Sequence, residues 1–99
     1  MNAKDNLQAA ADLLDQPEVA LFKGSGTIDD EGRLVTDERE CFCALTAIMA
    51  ASDWNYEPAK VVFASVVGIE PDSITDWNDA PERTKAEVVS ALRAAAAVA

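Results

Sequence analysis

The chain has 99 residues, with 18 acidic and 8 basic side chains, so its formal net charge is −10. Its 49% hydrophobic and 26% charged residues are typical of one folded domain over 1–99 rather than of a disordered chain. So acidic a surface repels nucleic acid and anionic lipid, which argues against direct binding of either, and no apolar run is long enough to span a membrane. We therefore expect a small soluble protein of the cytoplasm.

The first predicted element is a helix from Asn2 to Asp15. Asn2 is its expected N-cap, and Pro17 marks its end. Its apolar residues recur at the helical period and form one stripe. That stripe consists of Leu7, Ala10, Ala11 and Leu14.

A break and an acidic turn follow the first helix. Gly24 and Gly26 are expected to interrupt any regular element. The apolar flanks of the Asp/Gly turn within Thr27–Val35 predict a short hairpin or an ordered loop. Because an isolated two-stranded ribbon is marginally stable, we expect it to lie against the helices.

A second helix is predicted from Thr36 or Asp37 to Ser52, and we expect it to be the central and most buried one. Its broad apolar face would consist of Cys41, Phe42, Leu45, Ile48 and Met49.

Residues 58–67 carry many β-branched side chains, which leaves a strand open there, but Pro58 and Gly68 favour a third helix between them. A short helical turn is predicted at 73–77. The last helix is predicted from Pro81 to Val98, with Asp79 as its cap. The fold class is therefore mainly α, a small bundle of about four helices with an acidic loop or short β-hairpin between the first and second.

Catalytic chemistry finds little support in this composition. Histidine is absent, which removes the usual triads, imidazole metal sites and near-neutral proton shuttles. Cys41 and Cys43 would project from opposite sides of a helix, so they could not jointly bind a metal, and they provide no disulfide framework. We expect no cofactor, no metal and no enzymatic activity.

The acidic turn imitates part of a calcium-binding loop. With Gly32 at the sixth position, Asp29, Glu31 and Glu38 fall at the third, fifth and twelfth positions of an EF-hand frame. Thr27 stands at the first position, where that motif requires aspartate. Calcium binding by this loop is therefore one alternative function.

The sharpest motif is Trp77-Asn78-Asp79, followed by Arg83-Thr84 and Glu87-Val88. It resembles the C-terminal signature of a family of small uncharacterised proteins from phages, prophages and actinobacteria, known only as a domain of unknown function. Their Cys-x-x-Gly-Ala-Leu helix is similar to Cys43–Ile48, where Thr46 replaces glycine and Ile48 replaces leucine. The resemblance implies a helical fold and a mobile-element setting. Because no activity is assigned to that family, the resemblance does not indicate one.

The residues of this motif also have an architectural interpretation. Trp77 can fill the core, while Asn78 or Asp79 caps the last helix. Arg83 can pair with Asp79 or with another carboxylate, and Thr84 would lie in the first helical turn. An exposed contact surface is the rival interpretation of the same segment.

We expect a non-enzymatic interaction protein that binds a basic surface of a host protein, for instance as an anti-defence or anti-CRISPR-like inhibitor. Alternatives are a ligand-binding or minor enzymatic domain with a pocket beside Cys43 and Trp77, and the calcium-binding loop. The partner's identity and the oligomeric state stay open. The expected partner-binding residues are Asp29, Asp30, Glu31, Asp37, Glu38, Asp76 and Asp79.

Overall fold

The structure is a computed structural model that describes residues 1–24, 26–37 and 39–99. The mainly α prediction is confirmed. The described residues form five α-helices rather than about four, because the short turn predicted at 73–77 is a helix of its own. The helices are α1 (Ala3–Leu14), α2 (Ala44–Ala51), α3 (Glu57–Val67), α4 (Ile74–Asn78) and α5 (Lys85–Val98), and a 3-10 turn at Pro71–Ser73 precedes α4.

Helix α1 lies at the centre of the packing, in contact with α2, α3 and α5. The prediction that the second helix would be central is therefore wrong. The apolar stripe predicted for α1 is confirmed, since all four of its residues are fully buried. The predicted cap is confirmed as well, because the Asn2 side chain accepts a hydrogen bond from the backbone N–H of Asp5 at 2.8 Å.

A small sheet covers one end of this core. Its strands are β1 (Ala20–Lys23), β2 (Gly26–Ile28) and β3 (Cys41–Phe42), in the order β2-β1-β3. Strand β1 is antiparallel to β2, with Lys23 opposite Gly26. Gly24 and Gly26 therefore lie at the turn of a hairpin instead of only interrupting regular structure. Ser25 lies outside the described residues. Ile28, the last residue of β2, also forms an antiparallel bridge with Leu34, which confirms that the apolar flanks of the acidic turn meet.

The predicted second helix is wrong in its first half. Cys41 and Phe42 pair in parallel with Ala20 and Leu21, and this strand pairing replaces the helix. Cys43 is extended, with φ −88° and ψ 176°, and caps α2 instead of lying within it. The predicted apolar face is confirmed in part, since Ile48 is fully buried and Leu45 packs against the core, whereas Met49 is 42% exposed.

The third helix is confirmed. It spans Glu57–Val67, with Pro58 in its first turn and Gly68 in the left-handed conformation at φ 77° as its C-cap. Residues 58–67 are therefore helix and not strand. Phe63, which is fully buried, fixes α3 to the core.

The predicted start of the last helix is wrong, because α5 begins at Lys85 rather than Pro81. Its cap is Thr84, whose side chain accepts a hydrogen bond from the N–H of Glu87 at 3.2 Å. The segment before it is held in turns, since the N–H of Arg83 donates to the carbonyl of Ala80 at 2.9 Å. Within the described ranges, no helix combines the length and apolar character needed to cross a membrane.

Candidate functional site

Asn78 of the Trp-Asn-Asp motif is fully buried and joins three elements. Its Oδ1 accepts a hydrogen bond from the N–H of Ala44 at 2.9 Å, at the start of α2. Its Nδ2 donates to the carbonyl of Phe22 in β1 at 2.9 Å. Asn78 therefore caps α2, and the predicted capping of the last helix by Asn78 or Asp79 is wrong.

The start of α2 is satisfied within the chain. The N–H of Thr46 donates to Cys43 Sγ at 3.4 Å, and the N–H of Cys43 donates to Thr46 Oγ1 at 2.9 Å. With the bond from Ala44 to Asn78, three backbone N–H groups have side-chain partners here. Cys43 is buried, and its sulfur serves as a helix cap because it accepts the hydrogen bond from Thr46.

Trp77 is half-buried between two partners. Its ring meets Phe63 edge-to-face at 5.3 Å, and the Arg83 guanidinium lies 4.0 Å from its centroid. Arg83 also donates from Nε to the Trp77 carbonyl at 3.0 Å and from Nη1 to Glu87 at 3.0 Å. Arg83 therefore pairs with Glu87. Of the two partners expected for it, Asp79 or another carboxylate, the structure shows the second.

Two buried lysines, which sequence reasoning missed, join distant parts of the chain. Lys23 joins β1 to the segment before α5, and Lys85 joins the start of α5 to the residues between α1 and β1. Lys23 Nζ donates to the carbonyls of Ala80 at 2.6 Å and Arg83 at 3.0 Å. Lys85 Nζ donates to the carbonyls of Gln16 and Val19 and lies 2.9 Å from Asp30. A buried ammonium is tolerated only when it is bonded in this way. The sequence signal that could have revealed Lys23 was its position directly after the apolar residues Ala20-Leu21-Phe22.

The acidic turn brings four predicted partner-binding residues together, and each is paired with a cation of the chain itself. Asp29 and Glu31 lie 3.3 Å from Arg33, Asp30 pairs with Lys85, and Asp37 lies 2.8 Å from Arg39. The backbone N–H of Arg33 is the main cause that holds the pKa of Asp29 below its ordinary value. Glu38, the fifth predicted residue of this region, lies outside the described residues.

Arg39 lies within the electrostatic reach of three of these carboxylates, and each of them raises its pKa. Asp37 raises it most, through a side-chain hydrogen bond, and Asp29 and Asp30 raise it further by their charge. The acidic turn is thus largely neutralised by its own cations.

The other two predicted residues lie on a segment with fewer cations. We call Glu70, Asp72, Asp76, Asp79 and Glu82 the acidic segment. The described residues place no cation within 4.0 Å of its carboxylates except Lys60, which lies 3.7 Å from Asp72. Asp76 is exposed, whereas Asp79 is half-buried and close to Gly24, where an added Cβ would lie 2.7 Å from Asp79 Oδ2.

The two alternative functions gain no support from the geometry. Across residues 1–24, 26–37 and 39–99, no three acidic, cysteine or histidine side chains converge to hold a metal ion. Three surface recesses lie beside Arg93, Arg39 and Lys85, and none of these three is lined by Cys43, Trp77 or Asp79.

Trp54, which sequence reasoning also missed, projects from the loop between α2 and α3. Its side chain is 89% exposed, and its backbone has a φ of 138°. The preceding residue, Asp53, binds the amino group of Met1 at 2.6 Å, and that hydrogen bond is the main cause that lowers the pKa of Asp53. The available signal was a large aromatic flanked by the turn-forming residues Asp53 and Asn55, outside any apolar stripe.

These features define a small, mainly helical protein in which a Trp-Asn-Asp segment fastens two helices and a sheet together. The chain belongs to DUF6197, a family of unknown function whose model matches residues 1–98. No curated protein and no solved structure matches it.

Proposed function

We propose that this chain is a non-enzymatic interaction protein that binds a basic surface of a partner protein. The observation that carries the proposal is the uneven pairing of its carboxylates. The acidic turn is matched by Arg33, Arg39 and Lys85, whereas Lys60 is the one cation of the described residues that lies within 4.0 Å of a carboxylate of the acidic segment. The surplus negative charge is therefore available to another molecule at the acidic segment.

A partner with clustered lysine and arginine would gain most at this place. Carboxylates without a cation of their own can form new ion pairs without breaking old ones. The same field steers a basic partner into contact and repels nucleic acid. The acidic turn contributes less, because binding there would compete with internal ion pairs.

Two triple variants test whether the attraction is local. The first variant neutralises three exposed carboxylates of the acidic segment through the substitutions Glu70→Gln, Asp76→Asn and Glu82→Gln. The second variant is the control. It changes the net charge equally at exposed positions elsewhere, through the substitutions Asp5→Asn, Glu18→Gln and Glu40→Gln. The probe is a fluorescently labelled peptide of alternating arginine and leucine, and its anisotropy gives the affinity for each protein.

The first variant should weaken binding by about tenfold and reduce its salt dependence, and the second should weaken it about twofold. Equal weakening by both variants would mean that net charge alone attracts the peptide, and the proposal would fail.

We further propose that the interaction belongs to a mobile-element setting in a host cytoplasm, with the partner a component of a host machine that the chain inhibits. The support is the resemblance of Trp77–Val88 to small phage and prophage proteins. The genes that flank this one are the test. Phage structural genes or defence genes beside it would support the setting, and a neighbourhood of metabolic genes would contradict it.

A further inference from the structure

Trp54 is held where it contributes little to the fold. With 89% of its side chain exposed, it forgoes almost all of the stabilisation that burial of an indole provides. Its φ of 138° lies in a region that favours glycine and is an outlier for a bulky residue. Strained residues that the fold does not need concentrate at sites of contact or switching.

The residues on either side of Trp54 in the chain include two exposed apolar side chains and two carboxylates. We call Met49, Asp53, Trp54, Glu57 and Val61 the Trp54 surface. Met49 is 42% exposed and Val61 is 50% exposed, and Val61 follows Glu57 by one turn on the same side of α3. Asp53, which pairs with the amino group of Met1, precedes the indole in the chain, and Glu57, whose carboxylate lies 3.9 Å from Lys60 Nζ, follows it.

One lysine connects this surface to the acidic segment. Lys60 Nζ lies 3.9 Å from the carboxylate of Glu57 and 3.7 Å from that of Asp72. The side chain of Asp72 is 98% exposed. Lys60 therefore places the Trp54 surface beside the start of the acidic segment and offsets one of the two negative charges that it joins.

We propose that the Trp54 surface is the contact centre of this chain, where Trp54 enters an apolar recess that the partner surrounds with arginine or lysine side chains. This rests on the proposed function. Tryptophan is the residue type most enriched at energetic centres of interfaces, and its ring face binds a guanidinium well. The chain contains that pairing already, with Arg83 stacked 4.0 Å from the centroid of Trp77.

The charge of the chain argues against a second copy as the occupant. Two chains of net charge −10 repel each other, and contact between two Trp54 surfaces would place Asp53 and Glu57 against like charges. A basic partner instead gains from the net charge of the chain and from the carboxylates of the neighbouring acidic segment. The proposal therefore commits to a different, cationic molecule.

Thermal melting tests the assignment without a partner. Trp54→Gly removes the side chain and the backbone strain, so its Tm should equal or exceed that of the parent. Trp54→Phe keeps a large side chain at the same φ and should melt like the parent. A Tm of Trp54→Gly clearly below that of Trp54→Phe would show that a large aromatic side chain at this position supports the fold, and it would overturn the proposal.

Binding tests the partner chemistry with the same arginine–leucine peptide. Trp54→Ala should weaken its affinity by about tenfold, and Leu34→Ala, which removes another exposed apolar side chain, should leave it unchanged. A peptide with serine in place of leucine should lose the dependence on Trp54. Equal affinities of Trp54→Ala and the parent would overturn the proposal, as would concentration-dependent dimerisation of the parent that Trp54→Ala abolishes.

The two proposals fail in distinguishable ways. If neutralising the acidic segment weakens binding but Trp54→Ala does not, the basic partner stands and the contact centre falls. If the three acidic-segment substitutions act no more strongly than the control substitutions, the proposed function itself falls.

Discussion

The side-chain oxygen of Asn78 caps helix α2 through a 2.9 Å hydrogen bond from the backbone N–H of Ala44, a residue 34 positions earlier in the chain. Helix caps usually come from the residue that precedes the helix. Here Cys43 and Asn78 share the task, so the position of α4 fixes the start of α2.

Asn78→Ala should lower the free energy of unfolding by about 2–4 kcal/mol, because it leaves the buried N–H of Ala44 and the part-buried carbonyl of Phe22 without their partner. Denaturant titration measures the loss. Asn78→Asp, which keeps the acceptor and loses the donor, is the matched variant and should differ from the alanine variant. Asp79→Asn should be nearly neutral, and a larger loss from Asp79→Asn than from Asn78→Ala would contradict this assignment.

Lys23→Met should destabilise the protein by roughly 2–4 kcal/mol. The substitution keeps most of the side-chain volume but leaves the carbonyls of Ala80 and Arg83 without their ammonium donor. Lys4→Met, at an exposed position of α1, serves as the control and should change the Tm little. If the two variants melt alike, Lys23 does not hold the segment before α5.

The two tryptophans should respond oppositely to truncation. Trp77→Ala removes the contacts with Phe63 and Arg83, so we expect a loss of roughly 3 kcal/mol in the free energy of unfolding. Trp54→Ala should cost almost nothing because that ring is exposed. Chemical denaturation of both variants compares them directly, and equal losses would reject this division of roles.

Asp29 should contribute a pH-dependent stability that acid removes. Hydrogen bonds from the N–H of Arg33 and Glu31 lower its pKa below the ordinary 3.8. A lowered folded pKa means that the contribution is fully present well above pH 3.8 and is lost as the pH falls through the folded pKa. The Tm difference between the parent and Asp29→Ala should therefore be constant near neutral pH and shrink in acid. A difference that is independent of pH would contradict the role of the carboxylate.

Local signals were sufficient for α1 and α3. Asn2 and Pro17 bracket one helix, Pro58 and Gly68 bracket the other, and each element is determined by residues within itself. The predictions for 37–43 and 81–84 failed because distant groups decide those conformations. Strand β1 takes Cys41 and Phe42 into the sheet, and Lys23 binds carbonyls 57 to 60 residues later in the chain.

The candidate site was less accessible from sequence. The acidic residues could be identified from the sequence, but their ion pairs could not, because Asp30 pairs with Lys85, which is distant from it in the chain. The sequence marked Trp54 only by its turn-forming neighbours Asp53 and Asn55, because exposure and a positive φ are properties of the folded chain.

The most direct test of the account follows the two indole N–H signals in a ¹H–¹⁵N correlation spectrum while the arginine–leucine peptide is added. The account predicts that the Trp54 signal shifts in a saturable manner, together with backbone signals of 53–57 and 70–76. The Trp77 signal should stay in place, because that ring is packed between Phe63 and Arg83. A shift of Trp77 while Trp54 remains fixed, or shifts centred on the turn at 29–37, would contradict the central claim.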